Sequence, residues 1–234
     1  MHELTERPVG DVVRAAVIPV PGTHGDDGCP TGLWWQSGSP LMRVLTNAGL
    51  YHLNEHRPFT WSCDLNGHRF WRHWLGLNDP HRDWIAGGYA LSYYLWPVHQ
   101  EADEYVAVRE RNILAHSHGG QVVFYAAAYG GLRINRLLTV GTPIRRDMQA
   151  VIEKARPNIR QWLHVRGDDD AIALFGGIGD GRASFSRDFE QDPSRGPDWT
   201  DIVPGVGHSG VLHDPTMFYR WHHCAWIDFL KNGW

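Results

Sequence analysis

The chain of 234 residues has little cysteine: Cys29, Cys63 and Cys224 are its only three. An odd and sparse set does not form a disulfide framework, and no CxxC pair indicates a zinc site. A basic excess is also missing, because 22 Lys and Arg stand against 26 Asp and Glu and give a net charge of −4. Since nucleic-acid binding needs clustered Lys and Arg, this balance argues against a nucleic-acid partner.

A long hydrophobic run is missing as well. The longest uncharged stretch, residues 84–100, contains Gly87, Gly88 and Pro97. It falls short of the roughly 20 apolar residues that a membrane span needs. Residues 1–11 are charged and lack the apolar segment of a signal peptide. We therefore expect no integral membrane segment and a cytoplasmic location.

What remains is the composition of a globular protein, with 42% hydrophobic and 21% charged residues and an unusual 12 tryptophans. At about 150 residues per domain, the length favours one or two domains. No linker, repeat or low-complexity segment divides the chain, so we predict a single domain over residues 1–234. Nothing in the sequence indicates an oligomeric state.

Short apolar runs alternate with helical segments along the chain. The pattern predicts strands at 12–21, 59–62, 112–115, 134–140, 162–165 and 201–203, and helices at 40–49, 83–96, 119–129, 146–155 and 215–230. This alternation favours a mostly parallel sheet with crossover helices on both faces. Residues 168–200, rich in glycine at first, are typical of a long loop insertion, which in a compact domain is usually functional.

One segment brings a serine to a corner between a strand and a helix. Residues 112–120 read NILAHSHGG, with Ala115 two residues before Ser117 and Gly119 two residues after it. A sharp strand-to-helix turn needs small residues at both positions, because the strand and the helix nearly touch there. Ser117 is therefore a candidate nucleophile, and its alternative role is that of a helix N-cap.

A serine hydroxyl is a weak nucleophile unless a histidine takes its proton and a carboxylate holds that histidine. The carboxylate candidates are three adjacent residues, 168–170, directly after the predicted strand 162–165. His208 is the histidine candidate because it follows a predicted strand. Its competitors are His213 and the pair at 222–223, which lies in the last predicted helix.

Four segments resemble the α/β-hydrolase superfamily in its lipase and esterase branch. Residues 18–23, followed by tryptophans at 34–35, resemble the V-H-G-T…W oxyanion loop; residues 115–120 resemble the A-H-S-H-G-G elbow, 167–172 the G-x-x-D-x-[VI] acid turn, and 207–210 the G-H-S-G histidine loop. They occur in the family's order of serine, acid and histidine. Pro21 stands where many relatives have histidine, and Ala115 where most have glycine.

The resemblance implies the α/β-hydrolase fold, with a mostly parallel central sheet flanked by helices on both faces. It implies that Ser117 attacks an acyl carbon, that His208 accepts its proton, and that Asp170 orients His208. Asp170 is selected from its neighbours by the family's spacing from Gly167. No metal or cofactor is required for this chemistry.

The resemblance also implies an oxyanion hole made of two backbone N–H groups. One belongs to His118, the residue after the nucleophile. The other belongs to Thr23, for which His24 and Gly25 are alternatives, since one residue of loop register decides between them.

The implied function is hydrolysis of a carboxylic ester, with a small-molecule or lipid ester as the substrate. The same catalytic groups also serve amidases, peptidases and thioesterases, and a non-catalytic binding protein of this fold is a further alternative. Residues 84–96 and 175–199 are candidate lid segments. Trp34 and Trp35 either wall the substrate pocket or pack in the core.

The 15 histidines raise the alternative of a zinc hydrolase. No H-E-x-x-H pattern occurs, and no acidic residue stands at ligand spacing near His116 and His118. His116 is expected to be packed or hydrogen-bonded instead. His52 and His56 stand four residues apart, but residues 51–56 lack a helical pattern and are interpreted as a surface turn.

Overall fold

The fold is seen in a computed structural model that describes residues 15–22, 33–53, 56–61, 80–95, 111–170 and 187–234. Within these ranges six strands form one parallel sheet in the order β2-β1-β3-β4-β5-β6. The strands are β1 (Ala15–Val20), β2 (Leu50–His52), β3 (Asn112–His116), β4 (Ile134–Val140), β5 (Ile159–Gly167) and β6 (Trp199–Val203). The parallel sheet that the sequence predicts is thereby confirmed.

Helices cover both faces of this sheet, as predicted. They are α1 (Pro40–Asn47), α2 (Pro80–Tyr94), α3 (Gly119–Tyr129), α4 (Gln149–Ala155), α5 (Arg187–Glu190), α6 (Gly210–His213), α7 (Phe218–His223) and α8 (Trp226–Asn232). Apolar side chains of α2, α3 and α4 form a first core cluster on one face. Those of α1, α6, α7 and α8 form a second core cluster on the other. Among the helices described, none is long and apolar enough to cross a membrane.

The strand order places the candidate site. β1 pairs with β2 on one side, with Ala15 opposite Leu50, and with β3 on the other, with Val20 opposite Ala115. The chain therefore changes its direction of winding between β1 and β3. Open parallel sheets bind ligands at such a switch point, outside the carboxyl ends of the strands.

Helix α2 packs closely on α3, and glycine allows this approach. A Cβ atom added to Gly88 would lie 2.7 Å from Tyr125 Cβ, and one added to Gly87 would lie 3.0 Å from Val122 Cγ2. Leu91 of α2 is fully buried in the first core cluster. Although the glycine pair weakens the helical pattern of the sequence, the pair is what brings the two helices together.

The structure corrects three expectations about secondary structure. Residues 59–61 form no strand, and residue 62 lies outside the described ranges. A strand, β2, forms instead at the start of the segment interpreted as a surface turn, and its His52 is buried. The last predicted helix is divided into α7 and α8, because Ala225 adopts the left-handed conformation with φ 60°.

Candidate active site

The candidate nucleophile lies in the tight turn between β3 and α3. Ser117 has φ 51°, a left-handed conformation that non-glycine residues seldom adopt. Its backbone N–H donates to the Val140 carbonyl at 3.0 Å, which ties the turn to the end of β4. Such strain persists only where the surroundings impose it, and it is concentrated at functional sites.

Close approach of the strand and the helix explains the small residues on either side of Ser117. A Cβ atom added to Gly119 would lie 2.5 Å from the carbonyl oxygens of both Val20 and Pro21. Ala115 is fully buried in the first core cluster. The strand and the helix therefore approach too closely for larger side chains on either side of the turn.

A histidine–carboxylate pair lies at the carboxyl end of β5. His208 Nδ1 donates to Asp170 at 2.9 Å from Oδ1 and 3.1 Å from Oδ2. The Asp170 side chain is fully buried, whereas that of His208 is 16% exposed. Because Nδ1 is engaged by the carboxylate, the neutral ring presents the lone pair of Nε2 as a base.

The two other aspartates of the acid turn have different positions. Asp168 Oδ1 accepts the Gly205 N–H at 2.6 Å, which joins the acid turn to the loop that carries His208. Asp169 is exposed. The structure thus brings Asp170 to His208, while Asp168 stabilises the contact between the two loops. Because the three residues are adjacent aspartates, the sequence distinguishes them only by the family's spacing from Gly167.

Gly141 lies where these elements meet, a role that no pattern in the sequence predicts. It follows Val140, the acceptor of the Ser117 N–H, and has φ 57°. A Cβ atom added here would lie 2.9 Å from the His208 carbonyl oxygen and 3.0 Å from Asp170 Oδ2. The only sequence signal was a Gly-Thr-Pro turn, which predicts a turn and nothing about what packs on it.

His116 lies beside the candidate base. Its ring centroid is 4.9 Å from that of His208, and its Nε2 is 3.4 Å from the His208 carbonyl oxygen. Burial, and the charge that His208 carries when protonated, hold the pKa of His116 well below its ordinary value. The expectation of a packed, hydrogen-bonded histidine agrees with these contacts.

The predicted oxyanion donors are only partly within the described ranges. His118 stands at the start of α3, where the N–H groups of the first turn point out of the helix. Thr23 and its alternatives, His24 and Gly25, lie outside the described residues. Gly22 is described, and a Cβ atom added to it would lie 2.9 Å from Ser117 Cβ. The chain leaving β1 therefore passes directly beside the candidate nucleophile.

Trp34 and Trp35 are almost fully buried in the second core cluster, in agreement with the packing alternative. The Trp34 ring meets the His116 ring edge-on, with centroids 6.3 Å apart. Residues 84–94 of the first candidate lid lie on α2, and residues 175–186 of the second lie outside the described ranges. Among the described residues, no group of three His, Cys, Asp or Glu is placed to hold a metal ion.

Solved structures similar to this chain include several hydrolases. A soluble variant of monoglyceride lipase from Saccharomyces cerevisiae, in complex with a substrate analog, is 11% identical with a TM-score of 0.56, over 97% of this chain and 89% of that one. Est1E from Butyrivibrio proteoclasticus with bound ferulic acid is 14% identical with a TM-score of 0.54, over 97% and 93%. A predicted CIB-like hydrolase from Thermoplasma acidophilum is 18% identical with a TM-score of 0.53, over 96% and 89%.

No protein-family model and no curated protein matches the chain. At identities of 11% to 18%, the likeness to solved structures speaks for the fold. The chain has the α/β-hydrolase fold, and its described residues form a six-stranded parallel sheet between two layers of helices. The predicted fold class is thereby confirmed.

Proposed function

We propose that this chain is a serine hydrolase that cleaves carboxylic esters through an acyl-Ser117 intermediate. The observation that carries the proposal is that a left-handed serine and a histidine–carboxylate pair meet the end of β4 at two adjacent residues, Val140 and Gly141. The esterases and lipases among the structural neighbours support an ester as the substrate. A small-molecule or lipid ester is the substrate class that we propose.

In the proposed reaction, Ser117 Oγ attacks the ester carbonyl carbon while His208 Nε2 takes the hydroxyl proton. The Asp170 carboxylate stabilises the imidazolium that forms. The backbone N–H groups of His118 and Thr23 stabilise the tetrahedral oxyanion. When the intermediate collapses, the ester C–O bond breaks and the leaving alkoxide takes the proton from His208. Water then hydrolyses the acyl-serine by the same steps, and the carboxylic acid is released.

Labelling with a fluorophosphonate tests the proposal, because this probe phosphonylates an activated serine. The wild-type protein should be labelled, and the Ser117→Ala variant should not. Ser92→Ala is the matched control: Ser92 lies on α2, and its hydroxyl donates to the Gly88 carbonyl at 3.0 Å. An unlabelled wild-type protein, or equal labelling of wild type and Ser117→Ala, would contradict the proposal.

Substrate comparison separates esters from the other classes that this chemistry serves. We expect p-nitrophenyl esters to be turned over faster than the matching anilides and acyl thioesters. A profile of acyl chain length, from acetate to long chains, then defines the pocket. A preference for anilides or thioesters would assign the chain to the amidase or thioesterase alternative instead.

A further inference from the structure

The segment that leaves β1 is packed between the nucleophile turn and the start of α3. Gly22 lies against Ser117, since an added Cβ atom would be 2.9 Å from Ser117 Cβ and 3.3 Å from the His116 carbonyl oxygen. On the other side, the Pro21 carbonyl oxygen lies 2.5 Å from where a Gly119 Cβ atom would be. The Pro21–Gly22 peptide therefore lies directly beside the candidate nucleophile.

Pro21 has no backbone N–H, so the carbonyl oxygen is the one backbone group through which this residue itself can be held. Trp61 Nε1 donates to that oxygen at 2.7 Å, a short bond for an N–H donor. The two residues are 40 positions apart, so this is a tertiary contact rather than a feature of a local turn. It meets the chain one residue before Gly22, the residue that lies against Ser117.

The Trp61 indole is itself held firmly by the first core cluster, against which its ring packs. A Cβ atom added to Gly87 would lie 3.3 Å from Trp61 Cε3 and 3.0 Å from Val122 Cγ2. The indole thus fills the space that the glycine of α2 leaves. A rigid ring between α2 and the end of β1 fixes the direction of its N–H.

We infer that Trp61 is a positioning residue that holds the Pro21–Gly22 peptide against the nucleophile turn through the Pro21 carbonyl. The inference rests on the proposed function, in which Ser117 is the nucleophile and the N–H of His118 stabilises the oxyanion. Without the indole N–H, this peptide has more freedom to shift, and the turn that carries Ser117 and the His118 N–H loses a fixed neighbour. An oxyanion contact forms fully only in the transition state, so its weakening lowers kcat and leaves KM unchanged.

The test compares Trp61→Phe with wild type on a p-nitrophenyl ester. We expect kcat to fall by about threefold to tenfold, the net worth of one hydrogen bond, with KM within about twofold. The rate of fluorophosphonate labelling should fall by the same factor, because phosphonylation also builds negative charge on an oxygen in the hole. The acid limb of the pH profile should not move, since the base is unchanged.

Trp226→Phe is the matched control, because Trp226 Nε1 also donates a hydrogen bond, to Asp201 Oδ2 at 2.8 Å. Trp226 is fully buried in the second core cluster, on the other face of the sheet. This control should lose stability and keep the wild-type kcat. Benzothienylalanine at position 61, which replaces the N–H by sulfur and keeps the ring shape, serves as the second variant if Trp61→Phe does not fold.

Three results overturn the inference. In the first, Trp61→Phe and the benzothienylalanine variant retain the wild-type kcat. In the second, KM rises while kcat is unchanged, which would make Trp61 a substrate contact. In the third, Trp226→Phe lowers kcat by the same factor, which would trace the loss to general destabilisation. A failure of the proposed function is distinct, because the wild-type protein itself would then show neither turnover nor labelling.

Discussion

Two histidine–carboxylate pairs at β5 and beyond it show how similar groups serve different purposes. In the pair of His208 and Asp170, one ring nitrogen is engaged and the side chain is 16% exposed. In the pair of His164 and Glu190, the side chains are 0% and 1% exposed. His164 Nδ1 lies 2.9 Å from the Thr139 hydroxyl, and Nε2 lies 3.3 Å from Glu190 Oε1. Both ring nitrogens of His164 are thus buried beside a polar group, although Nε2 makes no hydrogen bond within the described residues.

The surroundings complete the contrast. Arg166 Nε donates to Glu190 Oε1 at 2.8 Å, and Trp162 Nε1 donates to the Thr139 hydroxyl at 2.8 Å. Burial alone would raise the pKa of Glu190, but His164 and Arg166 together hold it below the ordinary value. A histidine with no accessible nitrogen cannot exchange a proton with a substrate. We therefore interpret the pair of His164 and Glu190, the inner pair, as structural. The pair of His208 and Asp170, the outer pair, contains the candidate base.

The largest effect is expected from a substitution that breaks the outer pair. Asp170→Asn should lower kcat by about 10⁴-fold, because an amide stabilises neither the required tautomer of His208 nor its charged form. Asp168→Asn is the matched control, since an asparagine retains the oxygen that accepts the Gly205 N–H. Ester turnover of both variants measures the difference. Equal losses would show that the acid turn acts as a unit and that Asp170 has no separate role.

The nucleophile part of the candidate site was accessible from the sequence, because backbone strain dictates residue types locally. The turn at Ser117 needs small neighbours, so its pattern is visible in six residues. The choice among residues 168–170 was not local, and only the family spacing pointed to Asp170. In the structure that choice follows from burial, since Asp170 is buried while Asp168 and Asp169 are exposed.

Other features had no sequence signal of their own. Strand β2 has three residues, too few for a hydrophobic pattern, and it forms because β1 offers a parallel edge. Gly141 and Trp61 matter through partners distant in the chain. Likewise, Glu190 meets His164 from helix α5, which lies inside the segment predicted as a long loop insertion. Tertiary packing selects such partners, and single-sequence patterns do not report it.

The next largest effect is expected from a substitution that breaks the inner pair. At about pH 7, Glu190→Gln should cost about 3 kcal/mol of unfolding free energy, because it leaves the buried Arg166 charge without its carboxylate. For a chain of this size, the melting temperature should fall by about 6 to 12 °C. The kcat of the folded variant should stay within about twofold of wild type. Chemical denaturation and ester turnover, measured on the same preparation, provide the comparison.

A reversed outcome for Glu190→Gln would break the distinction between the pairs. Arg166 Nη1 also lies 3.3 Å from the Gly167 carbonyl oxygen, at the beginning of the acid turn. If kcat fell strongly while stability was retained, this contact would connect the inner pair to Asp170. The inner pair would then support Asp170 as well as the core.

The smallest effect concerns His116, the ring that lies between Trp34 and the candidate base. Its pKa is lowered in the folded protein, so the unfolded chain binds a proton below about pH 6.5 while the folded chain does not. Stability must therefore fall as the pH decreases from about 6.5 toward the lowered pKa, by up to about 1.4 kcal/mol per pH unit. Asp147 and Glu190, whose pKa values are also lowered, lose their contributions at more acidic pH.

The His116→Gln variant removes this titration and retains an N–H donor for the His208 carbonyl. Its unfolding free energy should decrease less between about pH 6.5 and 5 than that of the wild type. The difference between the two proteins at about pH 8, where His116 is neutral in both states, sets the baseline. Parallel stability curves over the whole range would mean that the folded protein protonates His116, and with it that a second charged ring lies against His208.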